Sequence, residues 1–231
     1  MVNHRQTNAR TKVYESLKDR IIRGVLSPGE KLSEIEIAAS AHVSRTPTRE
    51  ALRTLEQEGF VTTIANKGVY VKKYSPVELD ALHKMLMKLE GLAVEMAAPK
   101  LSETDLLALD DMNERLKALA SEKKYGEYLA LNIEFHLLFA KLTESTELYD
   151  TLCQLKNRAF RFQYAQIIVD DQFEHYVNDH QEIIDALRGK GDEKPHVLME
   201  RHIDRGRRSF LDFYRKFGVL TQKDRTKRRL L

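Results

Sequence analysis

The sequence has few of the residues that interrupt or cross-link a chain. Its 231 residues include one cysteine, 10 glycines, 5 prolines and no tryptophan. A single cysteine excludes a disulfide within the chain, which is typical of proteins in a reducing compartment. The scarcity of glycine and proline favours long helices over many turns. Because hydrophobic residues make up 42% of the chain and charged residues 32%, we expect a packed core and no global disorder.

Long apolar runs are also missing. Residues 1–8 are polar, so we expect no signal peptide. No apolar run approaches the roughly 20 residues that a membrane span needs. We therefore expect a soluble cytoplasmic protein with no membrane partner.

Negative charge is scarce at both ends of the chain. The net charge is +3, but residues 1–73 carry +5, residues 214–231 carry +6, and the segment between them carries −8. Basic ends around an acidic middle indicate that one part of the chain meets a polyanion and another part does not.

The first 73 residues have the pattern of a helix-turn-helix. Apolar residues at helical spacing predict a helix over residues 11–25, and Ser33 is positioned to cap a second, short helix. A third helix is expected over residues 46–58, with Pro47 in its first turn, where a missing N–H is tolerated. Two short helices joined by a few residues, the second of them basic, are typical of DNA-binding proteins.

A β-hairpin is expected directly after the third helix. Two β-prone segments, residues 60–64 and 69–71, flank a turn signal at residues 66–68. A hairpin in this place is a wing, and Lys67 at its tip could reach phosphate or the minor groove. Residues 11–73 therefore predict a winged helix-turn-helix domain.

The third helix has one apolar face and one face of arginine and threonine. The second face carries five residues: Arg45, Thr46, Thr48, Arg49 and Arg53. In a DNA major groove, arginine forks bind guanine edges and phosphates, and threonine methyl groups contact thymine. The alternative is an ordinary solvated basic helix, but the surrounding helix-turn-helix pattern favours DNA contact.

The rest of the chain predicts only helices. After a linker at residues 74–76, residues 77–217 contain no strand-like segment and predict an all-helical bundle of about six helices. We expect residues 1–10 to be disordered and residues 218–231 to form a disordered basic tail. The predicted fold is thus mainly α: an N-terminal winged helix-turn-helix followed by a helical bundle.

Three histidines lie on three different predicted helices of this bundle: His136, His180 and His202. Asn132 lies four residues before His136 and shares its helix face. Three imidazoles that meet inside a bundle would favour Zn²⁺, Ni²⁺ or another borderline divalent metal. Spacing alone leaves the alternative open, because a single histidine is more often a hydrogen-bonded structural residue.

Several motifs in the first half resemble the GntR family of bacterial regulators. They occupy residues 28–32, 43–52, 55–60 and 67–71. The resemblance implies that Ser44, Arg45, Thr46 and Arg49 contact DNA. It also implies that Lys67 and Gly68 lie at the tip of the wing.

The second half resembles the FCD effector domain of the FadR-type subfamily. The resemblance rests on Phe135-His136, on residues 180–187 and on His202. It implies a divalent metal bound by four residues: Asn132, His136, His180 and His202. It also implies a small carboxylate effector beside the metal. Arg158 and Arg161 could clamp such a carboxylate in a bidentate way, although solvated helix arginines are an equal alternative.

These features predict a ligand-responsive transcription regulator, most simply a repressor. As a homodimer it would place two recognition helices on a near-palindromic DNA operator. A metal-dependent hydrolase that uses the three histidines is the alternative, and a structural DNA-binding protein with a vestigial pocket is a third. The sequence has no His-Glu-x-x-His pair, no Gly-x-Ser-x-Gly and no phosphate-binding glycine loop. Glu134 should face away from His136, so we do not expect an enzyme.

Overall fold

The computed structural model of the protein describes residues 4–22, 24–170 and 173–217, and it describes side chains for residues 8–22, 24–159 and 173–215. The chain divides after Tyr74 into two compact units. No described helix is long and apolar enough to cross a membrane.

The first unit is a winged helix-turn-helix, as predicted. Its elements are α1 (His4–Ile22), β1 (Lys31–Leu32), α2 (Glu34–Ala41), α3 (Arg45–Gln57), β2 (Val61–Ile64) and β3 (Gly68–Val71). The three strands form an antiparallel sheet in the order β1-β3-β2. Apolar side chains of α1, α3 and the hairpin, among them Leu17, Leu55 and Phe60, form one buried core.

Short-range signals explain where these elements begin and end. The Ser33 hydroxyl accepts a hydrogen bond from the Glu36 N–H at 3.3 Å and caps α2. His42 adopts a left-handed conformation, with φ of 55°, and ends α2. Gly59 has φ of +80°, a conformation that glycine adopts without steric cost. This glycine allows the sharp turn from α3 into the wing.

The first helix starts earlier than the sequence pattern indicated. It begins at His4, so the expectation of disorder for residues 1–10 is wrong for residues 4–10. No proline or glycine interrupts residues 4–22, and the helix can therefore extend through the polar residues that precede its apolar stripe. Residues 1–3 and the basic tail at 218–231 lie outside the described residues.

The second unit is the predicted helical bundle. Its described α-helices are α4 (Pro76–Ala97), α5 (Glu103–Ser121), α6 (Tyr125–Leu142), α7 (Thr146–Asp170), α8 (Phe173–Leu187) and α9 (Pro195–Phe217), with one 3₁₀ turn at Ala98–Lys100. Capping boxes begin α4 and α5: the hydroxyls of Ser75 and Ser102 each accept an N–H, and Glu78 and Asp105 reach back to the cap residues. The apolar faces of these helices enclose a core that includes Phe135, Phe139 and Ile183.

Candidate DNA interface and metal centre

Helix α3 turns its basic face to solvent. Ser44, at its N-cap, and Arg45, Thr46 and Arg49 are exposed, while Ala51, Leu52 and Leu55 pack into the core. The buried and exposed positions alternate at the period of a helix, as the apolar pattern predicted. These four predicted contact residues therefore lie together on one accessible surface.

Thr48 does not belong to this surface, and its predicted role in DNA contact is wrong. Its side chain is fully buried, and its hydroxyl donates to the Ser44 carbonyl oxygen at 3.2 Å. Position 48 lies three and four residues before Ala51 and Leu52, so it shares their inward face. A threonine can occupy this face because its hydroxyl finds a backbone acceptor within the helix.

The wing presents Lys67 and Gly68 at its exposed tip. The Lys67 N–H donates to the Ile64 carbonyl at 3.0 Å and closes the turn. Gly68 has φ of +106°, and a Cβ there would lie 3.3 Å from Cε of Lys31. Only glycine adopts this conformation without strain, and the tight turn places the Lys67 side chain in solvent.

The two predicted base-reading arginines share one carboxylate. Oε2 of Glu34, in the first turn of α2, lies 2.7 Å from Nε of Arg49 and 3.4 Å from Nη2 of Arg45. The hydrogen bond from Arg49 lowers the pKa of Glu34. The carboxylate is therefore ionised at neutral pH, and α2 and α3 are linked at their outer surface.

In the second unit, the three predicted histidines converge. His136 of α6, His180 of α8 and His202 of α9 are all buried, and each offers a ring nitrogen within 4.8 Å of the other two. Nε2 of His180 lies 3.2 Å from Nε2 of His202. Zn–N bonds of about 2.0–2.1 Å place two imidazole nitrogens on one tetrahedral ion roughly 3.3 Å apart. This spacing therefore fits a shared metal ion.

Carboxylates contact the Nδ1 atoms of two of the three imidazoles. Nδ1 of His136 lies 2.5 Å from Oε2 of Glu90, and Nδ1 of His202 lies 3.2 Å from Oδ2 of Asp179. Each of these contacts leaves Nε2 as the nitrogen that can face an ion. A carboxylate on the far nitrogen is the usual support of a metal-bound histidine because it fixes the tautomer and raises ligand basicity.

Glu90 also forms a buried ion pair with Lys156. Its Oε1 lies 2.8 Å from the Lys156 ammonium, and both side chains are at least nine-tenths buried. Burial raises the pKa of Glu90, but the charge of Lys156 and the contact with His136 outweigh that effect and hold the pKa at about 2. Glu90 is thus a carboxylate at neutral pH, and burial lowers the pKa of Lys156.

The imidazoles of His136 and His180 are neutral at physiological pH. Burial, reinforced by the charge of Lys156, lowers the pKa of His136 to about 4. Burial and the neighbouring histidines lower the pKa of His180 well below its usual value. The ring of Phe135 stacks on His180, with 4.2 Å between the centroids. Neutral, rigidly packed imidazoles are the form that binds a divalent cation.

A cavity of about 70 Å³ lies beside the histidines. Its lining includes His136, His202, Asn132, Glu90, Lys156 and Tyr128. The phenol oxygen of Tyr128 is buried and has no hydrogen-bond partner among the described residues. The cavity therefore combines candidate metal ligands with a lysine and an unpaired phenol, a set of groups suited to a small polar ligand.

Arg158 is not among the residues that line this cavity, and the predicted clamp is not supported there. Lys156 lines it instead. Lys156 and Arg158 are two residues apart on α7, so their side chains point to opposite sides of the helix. The side chain of Arg161 lies outside the described residues.

Sequence reasoning missed Glu90 and Lys156 as members of the site, although a signal was present. Each occupies a position on an apolar stripe: Glu90 lies four residues from Leu86 and from Val94, and Lys156 lies four residues after Leu152. All three of these apolar neighbours are buried. A charged residue at a core position needs a buried partner, which identifies both residues as candidates for an internal polar site.

The lowered pKa of His136 predicts acid sensitivity of the metal-free protein. Between pH 6.5 and about 4 the unfolded chain binds a proton at this histidine and the folded chain does not, so stability falls as the pH falls. The contribution of His136 across this window is about 3 kcal/mol. Thermal unfolding of chelator-treated protein at a series of pH values measures this effect. We expect the melting temperature of His136→Gln to fall less steeply between pH 6.5 and about 4 than that of wild type.

The control for this prediction is an exposed histidine on α8. His175→Gln should keep the wild-type pH dependence, because the side chain of His175 is exposed to solvent in the folded protein. Equal slopes in His136→Gln and wild type would contradict a neutral, buried His136.

Together, the two units define the class of protein. A winged helix with an exposed basic recognition helix, in one chain with a helical bundle that encloses a polar cavity, is the architecture of a transcription regulator with separate DNA-binding and ligand-binding parts.

Comparison with known families identifies the family. The model of the bacterial regulatory proteins of the gntR family matches residues 9–71, and the model of the FCD domain matches residues 81–205. The chain belongs to the GntR family of transcription regulators, in the branch with an FCD domain. These two domains imply DNA binding by the first unit and small-molecule binding by the second.

Individual relatives agree with this assignment. The chain is 29% identical over 188 residues to the HTH-type transcriptional regulator YdhC of Bacillus subtilis, covering 80% of this chain and 84% of the relative. It is 24% identical over 192 residues to the HTH-type transcriptional repressor RspR of Escherichia coli, covering 83% and 84%. The structure of E. coli McbR/YncC superimposes with a TM-score of 0.76 at 21% identity, covering 93% of this chain and all of that one.

Proposed function

We propose that this protein is a metal-containing repressor that binds a near-palindromic operator as a homodimer and responds to a small carboxylate. The observation that carries the proposal is the cluster of three buried histidines beside a cavity that is lined by two of them and by a buried lysine. Effector binding would favour one arrangement of the dimer, so the difference in effector affinity between the two arrangements sets the response. The similarity to RspR of Escherichia coli, a transcriptional repressor, supports repression as the mode of action.

The DNA contacts come from the exposed face of α3 and from the wing. Six residues form this interface: Ser44, Arg45, Thr46, Arg49, Lys67 and Gly68. Arg45 and Arg49 lie one turn apart on α3 and expose more than half of each side chain, so both guanidinium groups can enter a major groove. Lys67 at the wing tip supplies a phosphate or minor-groove contact.

Arg49→Ala tests the recognition helix. We expect this change to weaken operator binding by roughly 1–3 kcal/mol, because a bidentate contact with guanine is lost. A gel-shift titration against duplexes selected by the wild-type protein measures the change. Arg115→Ala, which removes an exposed arginine from α5 of the helical unit, is the charge-matched control. An affinity in Arg49→Ala equal to that of wild type would contradict the assignment.

Dimerisation is supported by an exposed apolar stripe on α4. Val77, Met85, Leu92 and Met96 expose 78%, 47%, 41% and 39% of their surfaces. The last three recur at helical spacing on one side of α4. Large apolar side chains exposed in a row indicate a surface that another molecule covers, and a second copy of the chain suits the two-fold symmetry of a palindromic operator.

The metal is held by His136, His180 and His202, with Asn132 as a further oxygen ligand. Three imidazoles and an amide oxygen suit Zn²⁺ or Ni²⁺. Bound there, the ion would supply a positive centre that binds an anionic effector. The ring nitrogens of the three histidines are already close together, and His136 and His180 are neutral, so little reorganisation is needed for metal binding.

The effector occupies the cavity beside the metal. At roughly 10–15 Å³ for each water, a cavity of about 70 Å³ holds about five waters, or a carboxylate of a few heavy atoms. The ammonium of Lys156 supplies the positive charge for this carboxylate, and the Tyr128 hydroxyl can donate a hydrogen bond to it. Lys156 therefore takes the role that the sequence suggested for Arg158, while the side chain of Arg161 lies outside the described residues.

A hydrolase is not favoured. The domains and relatives identify a transcription regulator rather than an enzyme. Glu134, the carboxylate nearest to His136 in sequence, is exposed while His136 is buried, so the two residues point to different sides of α6 as expected. This carboxylate cannot act as a general base in the cavity.

A further inference from the structure

We propose that Glu34 is a positioning residue for sequence-specific DNA recognition: its carboxylate holds the guanidinium groups of Arg49 and Arg45 in the orientation that reads base edges. The inference rests on the proposed DNA-contacting role of these arginines. Its basis is the shared contact of one oxygen, Oε2 of Glu34, with Nε of Arg49 at 2.7 Å and with Nη2 of Arg45 at 3.4 Å.

The geometry restrains the arginines without covering them. Glu34 engages Arg49 at Nε, so the two Nη groups of Arg49, which form the outer edge of the guanidinium fork, are not part of this hydrogen bond. The side chains of Arg45 and Arg49 are 57% and 56% exposed, whereas that of Glu34 is 27% exposed. An arginine binds guanine through two parallel N–H donors, so the contact at Nε of Arg49 fixes the plane of its fork and keeps that pair of donors available. The longer contact of Arg45, at 3.4 Å, is made by one of its outer donors, Nη2.

The contact of Glu34 with the two arginines contributes little to the stability of the fold. Ion pairs between exposed side chains contribute little to the free energy of unfolding, because water screens them and long side chains lose entropy. Ordering the same side chains before DNA arrives is useful for another reason. A binding residue already held in its bound conformation loses less entropy when the complex forms.

The negative charge of Glu34 adds a second effect on specificity. A carboxylate between two arginines reduces the positive charge that the recognition helix presents to any phosphate backbone. It therefore weakens binding to DNA of arbitrary sequence, while the oriented donors strengthen binding to the right bases. Discrimination rises when the wrong partner is penalised and the right partner is favoured.

Glu34→Gln tests the proposal, with Glu36→Gln as its matched control. Both changes remove one negative charge from the first turn of α2, but of these two carboxylates it is that of Glu34 that forms ion pairs with the two arginines in the described structure. Full-length wild-type protein first selects a duplex from a random-sequence library. Fluorescence anisotropy then measures the affinity of each variant for that duplex and for a scrambled duplex of equal composition.

We expect Glu34→Gln to bind the scrambled duplex more tightly and the selected duplex more weakly. The ratio of the two affinities should fall about threefold to tenfold, since the bidentate contact is loosened rather than lost. Glu36→Gln should raise both affinities slightly and leave the ratio within about twofold of wild type, because it changes only the sequence-independent charge term.

Three results would overturn the inference. The ratio for Glu34→Gln could equal that of wild type, both affinities could rise together because Glu34 only competes with DNA for the arginines, or Glu36→Gln could lower the ratio as much. A library from which wild-type protein enriches no sequence would instead contradict the proposed function itself. The two failures are thus distinguishable.

Discussion

Replacing His180 by alanine should abolish stoichiometric metal binding. His180 is fully buried, and its Nε2 lies 3.2 Å from that of His202, so its removal takes one of three nitrogen donors from the centre of the site. Changing a residue that only supports a ligand costs about 10–100-fold in metal affinity, and we expect loss of a ligand itself to cost more. Elemental analysis of purified protein should find one equivalent of Zn²⁺ or Ni²⁺ per wild-type chain and little in His180→Ala.

The exposed His175 is the matched control for this experiment. It lies on the same helix as His180, five residues earlier, and its side chain faces solvent. His175→Ala should retain the wild-type metal content. Circular dichroism of the chelated proteins checks that His180→Ala remains folded. Full metal occupancy in folded His180→Ala, or a metal-free wild type that takes up no added metal, would contradict the proposed centre.

Removing the Lys156 ammonium should destabilise the helical unit more than any surface change. In Lys156→Met, the carboxylate of Glu90 stays buried without its cation, and breaking a buried pair in this way costs about 3–5 kcal/mol. Burial then acts on Glu90 without the opposing charge, so its pKa should rise. Hydrogen exchange of backbone amides in α4 and α7 measures the local free energy of opening in the unit that contains the pair.

A double substitution and a surface pair provide the controls. Glu90→Gln/Lys156→Met removes both charges, and replacing both partners of a buried pair is often close to neutral, so protection should largely return. Lys84 pairs with Asp80 on the exposed side of α4, and Lys84→Met should cost at most about 1 kcal/mol. Unchanged protection in Lys156→Met would show that the buried pair is not a source of stability.

The sequence predicts the architecture closely because the signals that define helices and turns are local. Helical periodicity, cap residues and turn glycines are set by neighbours within a few positions, and they predicted the winged helix and the bundle. The two-residue strand β1 was not predicted. Two residues, Lys31 and Leu32, carry no alternating pattern, and only their pairing with Tyr70 and Val69 makes them a strand. Tertiary contact therefore defines this element.

The sequence predicts the candidate site less completely than the fold, because the site is formed by side chains from distant parts of the chain. Periodicity places His136, His180 and His202 on separate helices but cannot show that they meet, and the resemblance to known regulators was needed to predict it. Thr48 shows a different limit. A threonine suits a solvated or a buried helix face, so its residue type gave no indication that its side chain turns inward.

Lys156 illustrates how a site residue can be overlooked. Charged residues are mostly exposed, and the two arginines nearby in sequence had the better geometry for binding a carboxylate. The structure buries Lys156 against Glu90 and places it on the wall of the cavity. Its position on an apolar stripe of α7 indicates this environment more reliably than its charge does.

The central claim is that this chain reads DNA as a symmetric, sequence-specific regulator. Selection of duplexes from a random-sequence library by the full-length protein tests it most directly. We predict two half-sites related by a two-fold axis, with centres separated by about one helical turn of 10–10.5 base pairs or a multiple of it. We also predict that Arg49→Ala enriches them far less. Enrichment of no sequence, of a single half-site alone, or of the same sites by wild type and Arg49→Ala would contradict the claim.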